Sequence, residues 1–258
     1  MVFADTHTHL YLPHFKNDID LIVRRAKEMG VQYMFLPNID SKSVNPMLRL
    51  AEKYPRNCFP MLGLHPNSVG DDFENELKEM ELRLNCEKIC AIGETGIDLY
   101  RSRKTLDLQK ESLQLQLEWA AKHDLPVVLH TRNSFEEVFD IISKYCANKL
   151  KGVFHSFTGN ADQAKRVVEA GFKLGIGGIV TFKNSGLEKS LEKIDLQNVI
   201  METDSPYLAP HPYRGKRNES SYLTYIAEKV AEIYSVTTEK VAEATTSNAL
   251  KLFNKTLE

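Results

Sequence analysis

Cysteine is scarce in this chain: four residues, Cys58, Cys86, Cys90 and Cys146, stand among 258 and form no CxxC pair. Four thiols cannot staple a chain this long, which excludes a disulfide-built scaffold and fits small buried hydrophobes in a reducing cytosol. Long apolar runs are missing as well. None approaches the ~18 residues of a membrane-spanning helix, and the start, Met1-Val2-Phe3-Ala4-Asp5, lacks the basic and apolar regions of a secretory signal. The reading is a cytoplasmic protein with no membrane association. Excess charge of either sign is absent: 33 Lys and Arg face 35 Asp and Glu, a formal charge of −2. Overall basicity therefore does not hold this protein on nucleic acid, and any polyanion is gripped locally. Low-complexity linkers, internal repeats and charge blocks are lacking too, which leaves residues 1–258 as one domain and implies no obligate protein partner.

What is present is alternation. Short β-rich apolar runs fall at Val2–Asp5, Val31–Leu36, Cys58–Leu62, Ile89–Ile92, Pro126–Leu129, Gly152–Phe154, Phe172–Ile176 and Val199–Glu202. Between them lie stretches of helical period, such as Leu106–Lys122, where Leu106, Leu113, Leu117 and Ala120 share one side. Nearly continuous apolar strands, each followed by a helix, indicate parallel strands buried on both faces. Eight of them close naturally into an α/β (β/α)8 TIM barrel, for which roughly 250 residues is the usual size. Two further helical stretches, Tyr222–Tyr234 and Thr238–Phe253, are expected on the barrel's outside, after a long loop at Tyr207–Ser220.

The chemistry-bearing residues cluster at strand ends. His7 and His9 end the first strand, and residues i and i+2 of a strand point to one side, so both imidazoles can reach one ion. Glu94 ends the fourth strand, His130 the fifth, His155 the sixth and Asp204 the eighth. In a parallel barrel these ends meet in one mouth. Four imidazoles and two carboxylates exceed the needs of one tetrahedral ion and suit Mg2+, Mn2+ or Zn2+, so the economical reading is two divalent ions. His7, His9 and Asp204 would hold one and His130 and His155 the other. Glu94 would bridge them, since a carboxylate can join cations ~3.5–4 Å apart and hold a water between them. Such a centre hydrolyses esters, with Asp204 orienting the water or taking its proton. His65, at the end of the third strand, is surplus as a ligand and reads as a substrate contact or proton donor. Glu202 lies two residues before Asp204, shares its face, and reads as a ligand of a further ion or as a group that holds a ligand in place from behind.

Substrate signals are local and positive. Arg132 follows His130 by two, and Arg214, Lys216 and Arg217 sit in the long loop. Arginine forks fit phosphate oxygens. Tyr100, Phe157 and Tyr207 could stack on bases of a single strand or frayed end.

The strings Asp5-Thr6-His7-Thr8-His9, Gly63-Leu64-His65-Pro66, Gly93-Glu94-Thr95-Gly96-Ile97-Asp98-Leu99-Tyr100-Arg101, Leu129-His130-Thr131-Arg132, His155-Ser156-Phe157-Thr158-Gly159, Glu202-Thr203-Asp204-Ser205-Pro206-Tyr207 and Arg214-Gly215-Lys216-Arg217-Asn218-Glu219 occur in this order. Together they resemble the TatD family of metal-dependent deoxyribonucleases. The resemblance implies a TIM-barrel member of the amidohydrolase superfamily, metal binding at His7, His9, Glu94, His130, His155 and Asp204, and phosphodiester hydrolysis, often as a 3'-5' exonuclease on DNA. One departure is visible: Ser220 stands where the family usually has proline. Ester hydrolysis on a D-aminoacyl-tRNA is the alternative the same residues leave open.

Overall fold

Residues 1–84, 88–146 and 150–256 are described by the computed structural model. Strands and helices alternate as the apolar pattern predicts: β1 (Phe3–Asp5), α1 (Ile19–Glu28), β2 (Val31–Pro37), α2 (Ser41–Lys53), β3 (Cys58–Met61), α3 (Phe73–Leu84), β4 (Ile92–Asp98) and α4 (Leu106–His123). The second half continues with β5 (Val127–Arg132), α5 (Phe135–Cys146), β6 (Gly152–Phe154), α6 (Ala161–Glu169), β7 (Lys173–Ile176), α7 (Leu187–Leu191), β8 (Val199–Met201), α8 (Leu223–Tyr234) and α9 (Thr238–Leu252).

All strand pairs are parallel, in ladders β1-β2-β3 and β4-β5-β6-β7-β8. Backbone hydrogen bonds join the ladders at both seams. Between β3 and β4, Cys90 N–H donates to Pro60 O and Gly93 N–H to Leu62 O; between β8 and β1, Thr6 N–H donates to Met201 O and His9 N–H to Ser205 O. The ring closes as a (β/α)8 TIM barrel. Inside it, Ala4, Phe35, Met61, Ala91, Val128, Val153 and Ile200 form one apolar cluster. The helices bury their own stripes outside it; α4 buries Leu113, Leu117, Trp119 and Ala120.

Two elements depart from the pattern. The fourth strand was expected at Ile89–Ile92, yet β4 runs on through Gly93, Glu94, Thr95 and Gly96 to Asp98. Such residues have little intrinsic strand preference. All seven positions of β4 are buried, and burial between neighbouring elements imposes the extended form. A register irregularity between Ile92 and Thr95 falls at Glu94, and irregularities of this kind re-aim side chains beside sites. The other departure is α9. Its end does not lie on the outside: Ala249, Leu250, Leu252 and Phe253 join the inner cluster, with Phe253 4.4 Å from the ring of Phe35. This last turn plugs the N-terminal end of the barrel.

Cys58 and Cys90 are buried free thiols, each pushed up to about 12 by burial. Cys86 and the side chain of Cys146 lie outside the described residues. Among the described residues no helix is long and apolar enough to cross a membrane.

Candidate metal centre

At the opposite end of the barrel the strands carry polar side chains. Two residues beyond Val128, Val153 and Ile200 stand His130, His155 and Glu202, so the inward face of each strand passes from apolar to ligating within one pleat. Asp204 adopts φ of 57°, a left-handed conformation that Asp tolerates better than most residues. Its carboxylate comes to 3.5 Å from His9 Nε2.

The six predicted ligands converge. Glu94, 3% exposed, is the hub. Its Oε2 lies 3.1 Å from His7 Nε2 and 3.6 Å from His9 Nε2, while its Oε1 lies 2.7 Å from His130 Nδ1, 3.7 Å from His155 Nε2 and 3.4 Å from His65 Nε2. The two oxygens thus face two different sets of nitrogens. His7 stacks on His155 at 3.5 Å and its Nδ1 is buried without a partner. Asp204 Oδ1 completes the Oε2 side, 3.9 Å from His7 Nε2.

The partners of the outer ring nitrogens decide which electron pairs face inward. His9 Nδ1 lies 3.1 Å from Pro37 O, a carbonyl that can only accept, so Nδ1 carries the proton and Nε2 presents a lone pair. His155 Nδ1 lies 2.8 Å from Glu202 Oε1, a carboxylate that favours a charged ring. His130 is turned the other way: Nε2 faces Asp98 Oδ2 at 3.1 Å, so Nδ1 presents the lone pair to Glu94. Carboxylates behind metal-facing imidazoles are the usual outer support of a metal site. Imidazole nitrogens 2.7–3.7 Å from both oxygens of one carboxylate call for positive charge among them, supplied by protons on the rings or by a metal ion. The donor set therefore fits divalent metal. Among the described residues three groupings can hold an ion: His7, His9 and Glu94; His7, His155 and Asp204; and His65, Glu94 and His130.

His65 differs from the others. Its Nδ1 accepts from the Asn67 backbone N–H at 3.0 Å, so in the neutral ring Nε2 bears the hydrogen and points it into the cavity. Burial pushes this imidazole below its ordinary value and keeps it neutral. In that tautomer it offers a donor, while its place in the third grouping keeps the same nitrogen within reach of an ion. Charge elsewhere is shared unequally. Burial lowers His7 to about 4. For His155 burial opposes the charge, but Glu202 and Glu94 outweigh it and raise the ring to about 10. Burial likewise works against the Glu94 carboxylate, yet His65, His7 and His155 hold it well below the usual range.

Glu202 stands behind His155, where Oε1 also accepts from Ser156 N–H. Gly175 makes room for it: a Cβ there would lie 2.5 Å from Glu202 Oε2. Glu202 belongs to none of the three ion-holding groupings among the described residues.

A cavity of about 610 Å³ opens over the centre, lined by His65, Glu94, Asp98, Arg101, His130, Arg132, Asp204 and Tyr207, among others. Arg132 stacks over the ring of Tyr100 at 3.9 Å and makes no ion pair among the described residues. Four predicted substrate contacts are placed differently. Phe157, 5% exposed, is packed in the core and offers no face to a base. Arg217 grips Asp18 with both terminal nitrogens, donates to His14 O and lies over Phe15, so it fastens the long loop to the start of α1. Arg214 and Lys216 are exposed beside Phe182 and Tyr213, and neither lines the cavity. Arg101, in the basic run that the sequence places at the mouth after the fourth strand, does line it, and so does Asp98, which the sequence did not single out. For Asp98 a signal existed, because Glu94, Gly96 and Asp98 alternate along β4 and the cluster continues on that face.

Comparison with known proteins places the chain in a family. The model of the family described as TatD related DNase matches residues 4–254. An uncharacterized metal-dependent hydrolase of Bacillus subtilis, YabD, is 36% identical over 96% of this chain and 98% of its own. The protein named 3'-5' ssDNA/RNA exonuclease TatD of Pectobacterium carotovorum is 29% identical over 96% of this chain and 98% of its own. The crystal structure of YjjV, a TatD homologue from Escherichia coli, superposes with a TM-score of 0.93 at 29% identity, covering 98% of both chains.

Proposed function

This chain belongs to the TatD related DNase family of metal-dependent hydrolases, and on that premise we propose that it is a deoxyribonuclease removing nucleotides from single-stranded or frayed DNA ends in the 3'-5' direction. The observation that carries the reading is Glu94, buried with one oxygen toward His7 and His9 and the other toward His130 and His155 beneath an arginine-bearing rim. His7, His9, Asp204 and Glu94 would hold one divalent ion, and Glu94, His130 and His155 a second. Such ions supply a nucleophile at neutral pH and neutralise charge on a phosphodiester.

The chain's own groups do the rest. Arg132, braced on Tyr100, and Arg101 present guanidinium groups to a backbone phosphate, for which their fork geometry is suited. Tyr207, 46% exposed at the cavity wall, offers a face on which a terminal base can stack. His65 points its Nε2–H toward the reacting centre and can donate to the leaving oxygen. Asp204, the more exposed of the two central carboxylates, orients the nucleophile. The name of the Pectobacterium relative, an exonuclease on single-stranded DNA and RNA, supports the same substrate.

The test is a time course of end-labelled single-stranded DNA with metal-stripped protein to which Mg2+, Mn2+ or Zn2+ is restored, beside Glu94→Ala. The expected result is a metal-dependent ladder shortening from the 3' end and absent in the variant. Uncut DNA under every ion, with free D-amino acid released from a D-aminoacyl-tRNA, would replace this reading with carboxylic-ester hydrolysis.

A further inference from the structure

Asp98 is 4% exposed, carries a charge, and is not one of the six ligands. Among the described residues its carboxylate has three partners: Oδ2 accepts from His130 Nε2 at 3.1 Å and from Asn67 Nδ2 at 3.1 Å, and Oδ1 accepts from Tyr100 N–H at 2.9 Å. Its backbone is gripped too. Gln109 of α4 accepts from Asp98 N–H at 2.8 Å. Two helical turns along the same face of α4, Gln116 accepts from Leu64 N–H at 2.8 Å and donates to Leu64 O, beside His65. Both glutamines are buried, and a buried amide is retained at low cost only when its hydrogen bonds are made. Asn67 links the two arms, since its N–H holds His65 Nδ1 while its side chain holds Asp98.

We propose that Asp98 is the positioning residue of His130, and that through His130 it governs the half of the centre facing Glu94 Oε1, leaving the His7, His9 and Asp204 half unaffected. The inference rests on the two-ion reading above. The physical reason is selectivity of orientation. His130 has two ring nitrogens, and only an acceptor fixed behind Nε2 commits Nδ1 to Glu94, 2.7 Å away. The Oε2 half takes its orientation from a different acceptor, Pro37 O behind His9. The two halves therefore have separate outer supports, and removing one should uncouple them.

The experiment is equilibrium dialysis of metal-free protein against Mn2+, comparing the wild-type chain with Asp98→Asn and Asn67→Ala, with far-UV circular dichroism on each. Wild type is expected to bind two Mn2+ per chain. Asp98→Asn keeps the first at wild-type affinity and binds the second about 10–100-fold more weakly, the usual cost of losing an outer-shell partner. Asn67→Ala, which removes one hydrogen bond to the same oxygen, moves only the second step and by less. Two unchanged steps in Asp98→Asn, or both steps weakened alike in folded variants, would overturn the assignment. A wild-type chain that binds fewer than two Mn2+ would instead sink the two-ion reading, and the assignment with it.

Discussion

The two ends of the barrel are built from the same strands and obey opposite rules. At the N-terminal end Val128, Val153 and Ile200 pack with Phe35 and Met61, and the last turn of α9 closes the opening with Leu250 and Phe253. At the C-terminal end, one pleat further along, His130, His155 and Glu202 sit among charged neighbours at hydrogen-bonding distances. The lower end is held mainly by apolar contact. The upper end gathers Glu94, Asp98 and Glu202, three buried carboxylates, and imidazole nitrogens aimed at one of them. Stability and chemistry are thus divided along the barrel axis, and each can be altered with little effect on the other.

The sharpest break in this division comes from Glu94→Ala. Turnover should fall by more than about a thousandfold, roughly 4 kcal/mol of transition-state stabilisation, while the far-UV dichroism and cooperative melting persist. Collapse of the fold would show that the mouth also holds the barrel together. Phe253→Ala makes the converse change. It should cost about 3–5 kcal/mol in urea unfolding, with kcat and Mn2+ binding of the folded fraction unchanged, and altered metal affinity would join the two ends. Gly175→Ala sits between them, because its new Cβ would crowd Glu202 Oε2. It should cost about 1–3 kcal/mol through overpacking and, unlike Phe253→Ala, weaken metal binding by shifting the support of His155. Arg217→Ala should have the smallest effect, about 0.2–1 kcal/mol for a partly exposed pair, and leave the salt dependence of DNA binding unchanged. Its pH dependence has a definite sign. Arg217 holds the Asp18 carboxyl below its ordinary value, so the pair stabilises fully above the unfolded value of about 3.9 and the difference between wild type and variant fades as pH falls through the native value. A difference that grows in acid would contradict the latch.

The barrel was legible because burial on both faces leaves the same apolar signature in seven of the eight strands. The exception is β4, where Glu94 and Asp98 stand within the strand itself, so composition pointed three residues upstream. The six candidate ligands were read from strand ends, which the topology gathers in one mouth, and the structure brings those side chains together around Glu94. Outer supports were harder to see. Asn67 and Gln109 act through hydrogen bonds that no spacing announces, and Asp98 was signalled only by its alternation with Glu94 along β4. The basic loop misled because a motif shows charge without its partner. Asp18, which claims Arg217, lies 199 residues away. Phe157 misled in the same way, since an aromatic near a strand end looks alike whether it faces the mouth or the core.

The most direct test of the two-sided Glu94 centre is anomalous diffraction from crystals soaked in Mn2+. The account predicts two peaks about 3.5–4 Å apart, one among His7, His9 and Asp204, the other between His130 and His155, with Glu94 joining them. A single peak, or peaks that leave Glu94 without an ion on either oxygen, would contradict it.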